Sequence, residues 1–292
     1  MRAKILFQST WLRGLDWDTP LDDAGILLWR DFQVKLPRLE EIRVPRSLLL
    51  GGSRGAIEFH GFADASERAY AAVLYVRADS GDSGRQVRII MAKTKVAFLK
   101  QVILPHLELC AATLLVRLDA HVRRILRVSE TPIHLWSDST VALDWIQGHS
   151  SRWKTYVANR VTDIQTTMSE AIWHHLPGRD NPADCASRGV LPSDLVNHPL
   201  WWRGPSWLST SEDPWPVPPF PDQNWDSDLM EERFRILLIM TQRIRVEEPE
   251  ELMQFSSLHC LLRVTAWCRR WLGGRGSAGR VAGVEAQPAL PL

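Results

Sequence analysis

The stretch that most limits the fold is Ile57–Ser66, Ile-Glu-Phe-His-Gly-Phe-Ala-Asp-Ala-Ser, with the two runs after it. Ile57, Phe59 and the Gly61–Phe62 pair space their apolar positions as a half-buried strand does. The run closes on Asp64 between the small residues Ala63 and Ala65. A carboxylate at a strand end, with room beside it, can take a metal or a phosphate-bound metal. A second strand is expected at Tyr70–Arg77. A third, Gln86–Lys93, comes after the turn-forming Asp79-Ser80-Gly81-Asp82-Ser83-Gly84. These are two hairpins in series, the first opening with an Asp.

Downstream, Leu107, Ala111, Leu114, Leu115, Leu118, Val122, Ile125 and Leu126 keep one helical face over residues 105–127. Pro105 sits where a helix start tolerates it, which puts Glu108 in the first turn. There it either serves a site or complements the helix dipole. Pro132–Ser137 reads as a strand ending at Asp138, and a helix starts at Ser139. Asp138 is thus either a site residue or a plain N-cap. Val157, Val161, Ile164 and Met168 mark another helix, and Ala171–Leu176 a fifth strand. The loop Pro177–Pro182 comes next, then a short helix, Ala183–Arg188, stopped by Gly189.

The ends differ from this middle. Residues 1–53 show weak helical stripes, from Lys4 to Leu12 and from Leu27 to Leu36, and no chemistry. They read as a small helical subdomain packing on the strand region downstream. Residues 191–228 are rich in Pro and Trp and read as an extended linker with local aromatic packing. Trp201, Trp202 and Trp207 are expected to extend the core of the neighbouring domain rather than to stack on bases. Residues 229–272 read as helical, and 273–292 lack core residues and read as a disordered tail.

The net charge of +1 gives no global basic field, so any nucleic-acid binding must rest on a local patch. Cys110, Cys185, Cys260 and Cys268 form no CxxC pair, which argues against zinc and fits a reduced, intracellular chain. The apolar run at the start is too short for a signal peptide. Ile236–Met240 falls far below the ~20 residues of a membrane span. A cytoplasmic or nucleus-associated protein with no membrane partner is expected.

The carboxylates at element ends are Asp64, Glu108, Asp138 and Asp184, in the element order β-β-β-α-β-α-α-β-α. Three antiparallel strands and then β-α-β crossovers make an α/β fold: a mixed five-stranded sheet with helices on both faces. In it the first and fourth strands can be neighbours, which lets Asp64 and Asp138 meet while Glu108 and Asp184 reach in from helices. Clustered carboxylates repel unless cations bind them, and Mg²⁺ is the hard cation such oxygens suit. Asp144 and Asp163 lie inside expected helices and Asp180 in a loop, so these three are expected to be bystanders.

Four segments then carry a family resemblance: Phe62–Ser66, Leu104–Leu109, Trp136–Ser139 and Asn181–Gly189. They resemble the ribonuclease H domain of BEL/Pao-type retrotransposon polyproteins over roughly residues 57–190. The resemblance implies a ribonuclease H-like domain at 54–190. It implies four metal-binding catalytic carboxylates, which fall on Asp64, Glu108, Asp138 and Asp184. It implies two Mg²⁺ ions, with Mn²⁺ as a substitute, and hydrolysis of the RNA strand of RNA–DNA hybrids. Lys93, Lys95 and Lys100, with Ser66, Ser139 and Arg188, are the expected nucleic-acid contacts. The bland reading of the lysines is solvated surface.

Trp17-Asp18 and Val44-Pro45-Arg46 look like the segment joining reverse transcriptase to ribonuclease H, and Phe255–Ala266 like the approach to integrase. Both enzymes of the polyprotein are therefore expected partners. Two departures stand out. His106 occupies a position where the family carries Arg. The loop Pro177–Asn181 has no central His, unlike the loop of cellular ribonucleases H that assists product release, whereas His174 and His175 lie on the preceding strand. No polymerase or protease motif is present. The alternatives are a catalytically silent remnant that binds nucleic acid or a partner, and an integrase-type transferase. The Glu standing second of four disfavours the transferase.

Overall fold

The computed structural model of the protein describes residues 1–45, 57–79, 85–100, 102–128, 131–210, 215–216 and 231. The chain divides into a unit of Met1–Phe234 and one of Arg235–Leu292, and every described residue lies in the first. The helical segment and tail expected beyond Glu231, and the Ser80–Gly84 turn, lie outside the described residues.

Strands β1 (Ile57–Ser66), β2 (Ala69–Asp79) and β3 (Arg85–Val96) form the antiparallel series. Helix α3 (Leu104–Leu126) leads to β4 (Ile133–Ser137). Helices α4 (Thr140–Gln147) and α5 (Thr155–Thr167) lead to β5 (Ile172–His175). The sheet order is β3-β2-β1-β4-β5, with β4 parallel to both β1 and β5. This is the mixed five-stranded sheet that the element order predicts. Ahead of it in the chain stand α1 (Arg2–Leu12) and α2 (Asp23–Lys35).

β1 is buried almost throughout, not half-buried as its alternation suggests. It is the central strand, and helices cover both sheet faces. Phe59, Ala63, Ala72 and Leu74 meet α3, α4 and α5 on one face. α3 crosses so closely that a Cβ on Gly61 would stand 2.7 Å from Leu115 Cδ1 and 2.8 Å from Leu135 Cδ2. Leu107, Leu109 and Leu115 of α3 are all but fully buried, and burial of each such side chain stabilises by roughly 1.5–3 kcal/mol.

The second face holds Phe62, Val73, Tyr75 and Trp136. Its cover comes from α6 (Pro182–Asp184), the π-turn Cys185–Gly189, and the short helices α8 (Pro199–Arg203) and α9 (Ser206–Ser209), while α7 (Pro192–Leu195) packs against the N-terminal helices. The stretch read as an extended linker is therefore folded as far as Thr210. Trp207 lies 4.6 Å from the Trp136 ring, and the Tyr75 hydroxyl donates to Trp201 O at 2.7 Å. Proline is what misleads in this stretch: Pro192 and Pro199 stand in the first turns of helices, where their missing N–H removes nothing. Helix α1 is tied to the sheet by Lys4 Nζ on Thr94 O (3.1 Å) and Gln8 Nε2 on Ala97 O (2.6 Å). No helix among the described residues is long and apolar enough to cross a membrane.

Candidate metal centre

The strand register builds the centre. Ala63 of β1 pairs with Ser137 of β4, so Asp64, still paired with Ala71 inside β1, and Asp138, just past the end of β4, stand side by side on neighbouring strands, spaced ~4.8 Å apart. Glu108 comes down from α3. One ligand oxygen from each of Asp64, Glu108 and Asp138 lies within 4.8 Å of the others. Asp64 and Glu108 are buried and Asp138 half-buried.

Both bland alternatives for these acids lose their footing. Helix α3 begins at Leu104, so Glu108 is its fifth residue and lies beyond the first turn, where the pull of the helix dipole has fallen off. The cap of α4 is Ser139, whose side chain accepts from Ala142 N at 3.2 Å. Asp138 is left facing the other acids.

Burial pushes the Asp64 carboxyl up to about 7, and the charges of Asp138 and Asp184 add to the push while a Ser187 hydrogen bond opposes it. Burial, then Asp64 and Asp138, raise Glu108 to about 9 against a backbone hydrogen bond from Ala65. Burial raises Asp138 as well. Glu108 Oε2 is buried with no hydrogen-bond partner among the described residues. An orphaned carboxylate oxygen aimed at two other carboxylates is the donor set of a hard divalent cation.

Three supporting residues escape a reading of the sequence alone. Buried Asn181 donates from Nδ2 to Asp138 Oδ1 at 3.2 Å and to Ala63 O at 3.0 Å, while its Oδ1 accepts from Ala183 N. It therefore clamps the end of β1 to Asp138. The Ser187 hydroxyl donates to Asp64 Oδ2. A Cβ on Gly178 would stand 2.8 Å from Asp138 Oδ2, so glycine there leaves room for the carboxylate. All three belong to the loop and turn that carry Asp184, which was the available signal.

Asp184 itself is not brought into the three-acid group. Arg188, four residues on across the π-turn, donates to its carboxylate, which is about one-third exposed. Its charge still acts on the other three acids. Among the expected nucleic-acid contacts, Ser66 and Ser139 have hydroxyls engaged within the chain: Ser66 bonds the Ala69 backbone and Ser187 O, and Ser139 caps α4. Arg188 is largely exposed, and Lys93, Lys95 and Lys100 are exposed along and after β3. Of the expected bystanders, Asp163 pairs with Arg117, Asp144 is exposed and Asp180 sits near Arg179; none joins the acidic group.

The histidines divide. His174 stacks on Trp136 and its Nε2 lies 3.2 Å from His134 Nδ1, within a sheet-face cluster that includes His60. His175 pairs in register with Ser137 and acts on Asp138 through its charge. His106 packs 4.4 Å from the Tyr156 ring.

Residues 1–139 match the family model of the Pao retrotransposon-like RNaseH-like domain. The match takes in Asp64, Glu108 and Asp138 and stops short of Asp184. No curated protein matches the chain. Among solved structures, RNase H1 from Halobacterium salinarum NRC-1 is 14% identical, with 44% of this chain and 91% of that one covered and a TM-score of 0.29. LC11-RNase H1 in complex with an RNA/DNA hybrid is 12% identical, with 48% and 99% covered and a TM-score of 0.33. The foamy viral protease-reverse transcriptase in complex with dsDNA is 10% identical, with 51% and 99% covered and a TM-score of 0.27.

Proposed function

We propose, from the premise that residues 1–139 are a Pao retrotransposon-like RNaseH-like domain, that this chain hydrolyses the RNA strand of RNA–DNA hybrids. The observation that carries the reading is the meeting of Asp64, Glu108 and Asp138, with an unpartnered Glu108 oxygen among them. Asp64, Glu108 and Asp138 would hold Mg²⁺, and Asp184 would serve as outer ligand of a second ion. When bound, such ions activate water and stabilise the leaving oxygen of a phosphodiester.

The chain's own residues prepare that state. Asn181 holds Asp138, and Ser187 holds Asp64. Burial raises the Asp64 and Glu108 carboxyls in the metal-free protein, so cation binding releases protons. Arg188, Lys93, Lys95 and Lys100 are the cations placed to meet phosphates. The wide minor groove of the hybrid and its 2′-hydroxyls supply selectivity.

The test is hydrolysis of end-labelled RNA in a hybrid, beside duplex DNA and duplex RNA, with Mg²⁺ and with chelator. Mg²⁺-dependent cutting of the hybrid's RNA alone, leaving 3′-hydroxyl and 5′-phosphate ends, is expected. Equal cutting of duplex DNA would overturn the reading. Hybrid binding without cutting would make the chain a silent binder.

A further inference from the structure

On the α3 face of the sheet, outside the acidic centre, a groove of about 850 Å³ opens between β3, α3 and α5. Its wall on β3 carries Lys93 and Lys95, and its far wall on α5 carries Arg160 and Asp163. Arg117 of α3 reaches across to Asp163 at 2.7 Å. Four cationic side chains thus face a single carboxylate among the described residues. The Lys93 and Lys95 side chains are both exposed, and neither makes a hydrogen bond or ion pair among the described residues. Arg117 keeps about two-thirds of its side chain in solvent despite its pairing.

The floor is apolar. Tyr70 and Phe98 lie 6.2 Å apart, and Phe98, just past the end of β3, is 47% exposed. The α3 stripe along the floor runs from Cys110 to His121. Eleven steps at 1.5 Å make it ~17 Å long. Two residues on along a helix is a rotation of ~200°, so the stripe from Cys110 faces away from Glu108 and the groove is distinct from the acidic centre.

A cationic channel with an exposed aromatic ring on its floor suits single-stranded nucleic acid. The charges track the backbone, and a ring stacks on a base of any identity. We infer that this groove binds a short single-stranded stretch of nucleic acid, with Phe98 stacking on a base and Lys93, Lys95 and Arg117 on phosphates. The site is separate from the acidic centre. It does not depend on the hydrolase reading.

The test uses the full chain in chelator, with a fluorescein-labelled ten-nucleotide oligodeoxythymidylate and anisotropy at several salt concentrations. Phe98→Ala should weaken binding about tenfold. Lys93→Ala with Lys95→Ala should flatten the salt dependence by about 1.4, at 0.7 per lost phosphate contact on a single strand. All three residues are exposed, so the variants should fold, and thermal melts check this. Wild-type affinity in both variants overturns the inference. So does tighter binding of an acidic, aromatic-containing peptide that displaces the oligonucleotide, since the groove would then be a peptide site. Hybrid cleavage by wild type is assayed in parallel. Oligonucleotide binding without cleavage removes the hydrolase reading and leaves the groove. Cleavage with no oligonucleotide binding does the reverse.

Discussion

Three acids that share a buried corner resist losing all their protons together. A carboxyl whose pKa is raised on folding holds its proton more tightly in the native state. That contribution to stability is complete below the ordinary value near 4 and is lost as pH rises toward the folded value. With Asp64 raised to about 7 and Glu108 to about 9, the metal-free protein should become less stable from pH 5 to pH 8. Glu108→Gln should flatten that slope. Melts in chelator at both pH values check it, and an unchanged slope in the variant would remove Glu108 from the cluster.

On the proposed function Mg²⁺ binds the deprotonated acids, so it should reverse the trend. At one hundred times Kd the stabilisation is ~2.7 kcal/mol. Asp138→Asn should abolish hydrolysis, melt no lower than wild type in chelator, and gain less from Mg²⁺. An equal Mg²⁺-induced shift in both proteins would show that Asp138 is not a ligand. Asn181→Ala should lose roughly 10- to 100-fold in metal affinity or activity. It should also lower stability by ~1–3 kcal/mol, since Ala63 O is left unpaired. Titration calorimetry with Mg²⁺ and denaturant melts separate the two effects.

At the scale of elements, the strands and their order were legible because burial in a sheet writes a short period into the chain. β1 runs on to Ser66 and leaves Asp64 two residues inside its end, whereas the placement of Asp138 just past a strand end came from that period. The fate of Asp184 did not. Whether it faces the other acids depends on a π-turn that sets Arg188 against it, and five residues of Cys-Ala-Ser-Arg-Gly carry no period to read. Asn181 and Ser187 escaped for a related reason: their partners lie 118 and 123 residues away. Nor could alternation reveal how closely α3 approaches β1. Gly61→Val should force that contact apart and lower stability by ~1–3 kcal/mol. A denaturant melt measures it, and a stability equal to wild type would mean that the crossing has slack.

At the scale of the whole molecule, the Pro- and Trp-rich stretch covers the second sheet face as far as Thr210. Trp207 and Leu208 are buried against Trp136 and Phe62. Trp207→Ala should lower stability by roughly 3–5 kcal/mol. A chain ended at residue 190 should expose the same apolar face and aggregate, whereas one ended at 210 should stay monodisperse. Light scattering on the two truncations decides this; similar behaviour would return the stretch to the status of a linker.

The long clasp from Ser187 to Asp64 also sets a clock. A ribosome delivers the N-terminal side of a domain first, at ~5–20 residues per second. Asp64, Glu108 and Asp138 therefore emerge seconds before the serine and asparagine that restrain two of them. During that interval the nascent chain carries the acids without their clasp. On the proposed function, capture of a metal becomes a late event in biogenesis, and hydrolysis should arrive last, after the sheet has already formed.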